Sequence, residues 1–191
     1  SMKCRSITFI CIINKLLKSK HVKLIKKLVL VILLLIGILF IFFFWYRQTY
    51  SMETARTYVI NSPSLERKLL IATQGSEFKD VVTKGIADYY SSQPIFIKVI
   101  DISSLDKIDA TDYSAMVIIH TWQNWEPPVE VKYFIEKNVD FMNRVIVLTT
   151  SGEGSYKMEG VDAITGESIL TDAPLYTAKI IDKLDSILKT K

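Results

Sequence analysis

Residues 115–152, AMVIIHTWQNWEPPVEVKYFIEKNVDFMNRVIVLTTSG, decide the fold. Ala115–His120 is apolar almost without interruption, as a strand covered on both faces must be. A polar and aromatic loop follows, Thr121–Glu126. Pro127 and Pro128 then suit the first turn of a helix, where a missing N–H costs nothing. That helix is expected to run through Asn138, with Val129, Val131, Tyr133, Phe134 and Ile135 as its apolar residues. Arg144–Thr149 is a second apolar strand running into Thr150-Ser151-Gly152. Strand, loop, helix, strand is the unit from which parallel sheets are built.

The flanks repeat that grammar. Lys68–Thr73 (KLLIAT) reads as a buried strand. Phe78, Val81, Val82, Ile86, Tyr89 and Tyr90 recur at helical spacing. Pro94–Ile100 is a further strand, Gly160–Thr165 holds a short fifth, and Pro174–Leu188 closes the chain as a helix. Its expected apolar face is Leu175, Ala178, Ile181, Leu184 and Leu188. The result is an α/β domain with a mostly parallel, five-stranded sheet over 68–191.

Upstream, Leu28–Tyr46 has no charge and no proline, and as a helix would span roughly 28 Å, close to the hydrocarbon core of a bilayer. Nine of the 24 basic residues and none of the 20 acidic ones precede Gln48. The remainder therefore carries fifteen basic against twenty acidic side chains, and the overall positive charge does not signal nucleic-acid binding. Basic residues before the span keep the N-terminus cytoplasmic and export the C-terminal domain. The chain divides into a basic leader (1–27), a transmembrane helix (28–46), a polar stalk (47–67) and the α/β domain (68–191). Phe42–Tyr46 resembles an interfacial aromatic belt more than a cleavage site. Within the leader, Ile7–Leu17 reads either as an interfacial helix or as a basic tail. Cys4 and Cys11 both precede the span, so the exported domain has no disulfide.

In an open parallel sheet, ligands bind beyond the carboxyl ends of the strands. Three loops leave such ends: Thr73–Glu77, Thr121–Glu126 and Thr150–Gly154. The first places Gly75 and hydroxyls at a helix N-terminus, which favours phosphate. The second offers Trp122 and Trp125 for stacking on a flat ring. The third offers mobile backbone groups around Gly152.

With these elements and loops, residues 68–191 resemble the flavodoxin family. That resemblance implies a doubly wound sheet and an FMN site. Thr73, Gly75 and Ser76 would hold the phosphate, Trp122 or Trp125 would cover the isoalloxazine, and Thr150, Ser151 and Gly152 would line its polar edge. The first loop, T-Q-G-S-E-F, departs from the family's T-x-T-G-x-T: one threonine is missing, Phe78 replaces the last hydroxyl, and Glu77 and Asp80 bring carboxylates. Those two acids are also ordinary first-turn residues, and the two tryptophans also serve to cap a sheet edge. Val161–Ser168 (VDAITGES) resembles the D-x-x-[ST]-G-A-T motif of domains that carry FMN as a phosphoester, with Ser168 as the aligned acceptor; a strand-to-helix turn accounts for the same letters.

Two functions follow. One is FMN-dependent electron transfer at the membrane. The other is a cofactor-less interaction module docking to an integral-membrane partner, with the bilayer itself as the anchor's surroundings. No catalytic constellation appears. His120 has no nucleophile beside it and reads as a structural histidine, and the histidine and cysteine spacing argues against a metal site. The chain is not assigned as an enzyme.

Overall fold

The computed structural model describes residues 22–45, 53–123 and 125–189. The leader up to His21, including Ile7–Leu17, lies outside the described residues, as do Tyr46 and the first part of the expected stalk. The chain forms two units, Ser1–Ser51 and Met52–Lys191.

In the first unit, α1 (Val22–Trp45) is a 24-residue helix with every side chain exposed. It is long and apolar enough to cross a bilayer. It starts six residues before the apolar run expected at Leu28, so Lys23, Lys26 and Lys27 belong to its first turns.

The second unit is a six-stranded sheet. Its strands are β1 (Tyr58–Ile60), β2 (Arg67–Thr73), β3 (Ile95–Asp101), β4 (Ala115–Thr121), β5 (Val145–Thr150) and β6 (Ala163–Gly166). The order across the sheet is β1-β3-β2-β4-β5-β6. All neighbours are parallel except β1 and β3, which pair antiparallel through Tyr58↔Val99 and Ile60↔Ile97. Without β1 this is the flavodoxin-like order, and the fold class is the one expected. The strand count is corrected from five to six. Residues read as stalk supply the extra strand, because Tyr58-Val59-Ile60 pairs along the edge of β3.

The helices are α2 (Glu77–Ser91), α3 (Val129–Lys137) and α4 (Ala173–Lys189). Alternate residues of each strand face opposite cores. Leu69, Ile71, Val117, Ile119 and Leu148 pack with Phe78, Val82, Ile86 and Tyr90 of α2 and Tyr176, Ile180 and Leu184 of α4. Leu70, Met116, Ile118 and Val147 pack on the other side with Val131, Phe134 and Ile135 of α3 and with Leu105. Burying each such side chain stabilises by about 1.5–3 kcal/mol before the entropy of ordering is subtracted.

Two helix faces differ from their expected phase. On α4 the buried line is Ala173, Tyr176, Ile180, Leu184 and Leu188, while Leu175 is exposed. The sequence offers two overlapping apolar stripes there, and contact with α2 selects the one through Tyr176. On α2, Val81 and Tyr89 are exposed, whereas Lys79 and Thr83 are buried.

The second core is thinly clothed. Short 3-10 turns (Ile102–Lys107 and Ala110–Asp112) replace a helix between β3 and β4. From β5 to β6 the chain crosses in twelve residues, 151–162, without a helix, about the minimum for a parallel crossover.

Candidate functional site

β2 has β3 on one side and β4 on the other, so successive connections leave it in opposite directions. The crevice at this reversal is where a ligand is expected. Here it is stapled shut by the chain itself. Gln74 is buried; its N–H donates to Ile119 O (3.2 Å), and its Oε1 accepts from Thr121 N–H (2.6 Å). Both ends of one residue thus tie β2 to β4 across the switch point.

The three loops do converge. Thr121 and Thr150 share a hydroxyl–hydroxyl bond of 2.9 Å, and Trp122 N–H donates to Thr150 O at 2.7 Å. Ser151 N–H donates to Gly166 O at 3.0 Å, which brings the end of β6 to the same edge.

In the first loop, the groups expected to hold phosphate all have partners within the chain. Thr73 Oγ1 donates to Gln74 O (3.1 Å). Ser76 is the N-cap of α2; its Oγ accepts from Lys79 N–H (3.3 Å) and from Lys79 Nζ (3.3 Å). Gly75 N–H donates to Glu53 O at 2.7 Å. Residues 53–60 form a strap that bridges Gly75 at one end and becomes β1 at the other. The strap is held again where Ala55 N–H donates to Asp101 Oδ2 (2.8 Å). A Cβ at Gly75 would meet Glu53 O at 2.6 Å, so the glycine admits the strap's close approach.

Lys79 is completely buried beside this loop. Burial lowers its ammonium pKa to about 8, against a smaller opposing pull from Asp80. A cation beside a helix N-terminus is disfavoured by the helix dipole. Between the strap and α2 lies a cleft of about 500 Å³ lined by Arg56, Tyr58, Asp80, Thr83 and Lys84 among others. Burial, with Asp88 and Asp80 nearby, raises the Tyr58 pKa. A second cleft of about 540 Å³ lies at the opposite edge, by Arg67, Ser114 and Arg144 at the amino ends of β2, β4 and β5.

In the second loop, Gln123 and Glu126 exchange two backbone bonds of 2.9 Å, making a tight hairpin. Trp125 sits in this turn with φ 67°, a left-handed conformation uncommon for a bulky side chain. Tyr156 lies between the two indoles. Trp122 stacks on it at 5.9 Å and 16°, and Trp125 meets it edge-on at 5.9 Å and 82°. One face of Trp122 is thus covered by a tyrosine of the chain.

The third loop is the least occupied. Ser151 Oγ and Trp122 Nε1 are buried without hydrogen-bond partners among the described residues. Gly152 has open space around its Cα. His120, beneath the edge, is wholly buried, with Nε2 3.0 Å from Thr149 Oγ1. Burial lowers its pKa to about 4, which favours the neutral ring at neutral pH.

Ser168 is exposed beyond β6. The glycine of its motif has a packing cause: a Cβ at Gly166 would overlap the hydroxyl and ring of Tyr176. No group of three or more His, Cys, Asp or Glu side chains suited to a metal occurs among the described residues. Sequence reasoning missed Glu53, Gln74, Lys79 and Tyr156. Only Tyr156 left a trace, an aromatic residue five positions after Ser151.

No protein-family model and no curated protein sequence matches the chain. Among solved structures it is similar to a flavodoxin from the domain Archaea, at 12% identity and TM-score 0.43 over 63% of this chain and 98% of that one. It is also similar to a flavo di-iron protein mutant from Thermotoga maritima, at 16% identity and TM-score 0.45, covering 65% of this chain and 36% of that one. A third is the response regulator domain of Thermotoga maritima CheB, at 12% identity and TM-score 0.42, over 65% and 98% of the two chains.

Proposed function

We propose that the chain is a membrane-anchored, flavodoxin-like interaction module that works without flavin. Its α1 helix is the anchor, the basic leader stays in the cytoplasm, and the acidic α/β unit is exported. The carboxyl edge of the sheet binds a membrane-associated partner. One observation carries this reading: Gly75 N–H, a backbone donor that the family resemblance assigns to phosphate, is already bonded to Glu53 O at 2.7 Å. The phosphate end of an FMN site does not fit while the strap is in place. The visible spectrum of the full chain purified in detergent, followed by FMN titration, tests it. The expected result is a colourless protein that leaves flavin fluorescence unchanged at high micromolar FMN. A stoichiometric flavin band would refute it.

A second reading, FMN-dependent electron transfer at the membrane, draws on Ser151 Oγ and Trp122 Nε1, two buried polar groups without partners where a ring edge is expected. It requires the strap to leave Gly75. The same titration decides between the two. Phosphoester attachment at Ser168 would appear as a mass increase of the intact chain. Export is checked by protease added outside sealed cells, which should remove the α/β unit and leave the leader intact.

A further inference from the structure

Lys79 has no part in docking, yet it is fully buried in the first turn of α2, a helix of 15 residues. Burial and the positive end of the helix both disfavour its ammonium. Capping does not need it. Ser76 alone is the N-cap, and an apolar side chain of similar length would fill position 79 with no charge to desolvate. What Lys79 does reach is the Ser76 hydroxyl, with Nζ 3.3 Å from Oγ. The spacing Ser76-Glu77-Phe78-Lys79 sets the two side chains one turn apart at a helix start, the arrangement of a serine nucleophile with a lysine base.

The backbone completes the pair. Lys79 N–H donates to Ser76 Oγ (3.3 Å) and Asp80 N–H to Ser76 O (2.8 Å). The N–H groups of Glu77 and Phe78 precede them in the first turn and have no acceptor within the helix. They are two adjacent donors, next in the chain to the hydroxyl, for a developing oxyanion. Ser76 is half-buried, so a ligand reaches Oγ while Lys79 stays covered.

We propose that Ser76 and Lys79 form a nucleophile–base dyad that hydrolyses small, uncharged acyl esters. The neutral Lys79 amine takes the Ser76 hydroxyl proton as Oγ bonds to the acyl carbon, and the carbonyl π pair moves onto oxygen, toward the Glu77 and Phe78 N–H groups. The intermediate collapses, the ester C–O bond breaks, and the leaving alkoxide takes the proton from Lys79. Water repeats the route on the acyl-serine, releasing a carboxylic acid and restoring both side chains. Exposed Glu77 and Asp80 disfavour anionic acyl groups, and the strap on Gly75 with buried Gln74 limits acyl size. This chemistry runs with or without flavin and lies beyond the docking function.

Burial holds the Lys79 pKa at about 8, so its base form grows about tenfold between pH 7 and pH 9. Asp80 on the same helix opposes that shift, and Glu77 is the other carboxylate of the first turn. On the sheet, His120 feels the Lys79 charge, and with its own pKa at about 4 it does not titrate in this range. The strap approaches with the Glu53 carbonyl.

The test treats the full chain in detergent with an ethyl fluorophosphonate, which loses fluoride as a serine Oγ bonds to phosphorus, and maps the adduct by mass spectrometry. Ser76 should be labelled, at a rate rising about tenfold from pH 7 to pH 9. Ser76→Asn keeps a good cap and should abolish the adduct in a folded chain. Lys79→Met should slow labelling at Ser76 by about a hundredfold or more. With p-nitrophenyl esters, acetate should turn over faster than decanoate or succinate. Circular dichroism checks that each variant is folded, and the pH profile of the unmodified chain carries the test should Lys79→Met not fold. Ser76 unlabelled in the folded chain overturns the proposal. So does a labelling rate flat between pH 7 and pH 9, equal labelling in folded Lys79→Met, or ester hydrolysis undiminished by Ser76→Asn.

Discussion

Replacing Gly75 by alanine should release the strap from the first loop. The added Cβ would lie 2.6 Å from Glu53 O and 2.8 Å from Glu53 C, both backbone atoms. Reaching ordinary contact requires the strap to retreat by about 0.8 Å, which stretches the 2.7 Å Gly75–Glu53 hydrogen bond to about 3.5 Å and out of useful range. Losing that bond costs about 1 kcal/mol. Crowding where backbone must shift adds about 1–2 kcal/mol. The total is about 2–3 kcal/mol, concentrated on residues 53–60. Hydrogen exchange read by mass spectrometry should accelerate by at least about tenfold in peptides covering the strap and β3, since each 1.4 kcal/mol is a factor of ten. Exchange within β4 and β5 should change little. Gly152→Ala is the control, because a Cβ there meets nothing within 4 Å. If Gly75→Ala exchanges like the parent over 53–60, the strap does not bear on Gly75 and the proposed closure of the phosphate loop fails with it.

Three further outcomes follow from the same structure. His120 has its pKa lowered to about 4 from 6.5, so the unfolded chain binds the extra proton first: stability is complete above about pH 6.5 and is lost as pH falls toward 4, by on the order of 3 kcal/mol, and His120→Gln should flatten that acid limb in denaturant titrations. Lys79 has its pKa lowered to about 8 from 10.5, so stability should rise as pH increases from 8 to 10.5, a rise that Lys79→Met removes in the same titrations. Gly166→Ala drives a Cβ into Tyr176 and should cost about 2–4 kcal/mol by thermal unfolding; Tyr176→Leu in that background should recover part of the loss, and no recovery would refute the packing explanation for this glycine.

The strands were legible because β2, β4 and β5 are short, nearly unbroken apolar runs with turn residues after them. Burial on both faces leaves no other composition available. β1 was not legible: three residues, Tyr58-Val59-Ile60, give too short a pattern to count, and their strand state depends on pairing with β3 some forty positions later. The helix phases failed for a related reason. Leu175 and Tyr176 head two competing stripes on α4, and only the position of α2 decides between them. The convergence of three loops on one edge could be read from the order of elements. Its occupancy could not, because that depends on tertiary contacts: Glu53 on Gly75, Gln74 across to Thr121, and Tyr156 between two indoles. None has a fixed spacing from the residue it satisfies. Lys79 was invisible in the same way, since a lysine in a helical pattern reads as solvated until something covers it.

Asn61 carries a consequence for the order of folding. With φ 66°, it turns the chain out of β1, and its carboxamide Nδ2 donates to the carbonyls of Ser91, Gln93 and Ile95 at 3.1, 3.1 and 2.8 Å. Every partner of this side chain is made at least thirty residues after it, as is the strand that β1 pairs with. On a chain made from its N-terminus, the segment that holds β1 is complete before the residues it pairs with. Residues 53–60 remain unpaired strand edge until residues 91–101 have been made. The strap is therefore first made and among the last to lock. A chain arrested before β3 is complete would display that edge to any protease that reaches it.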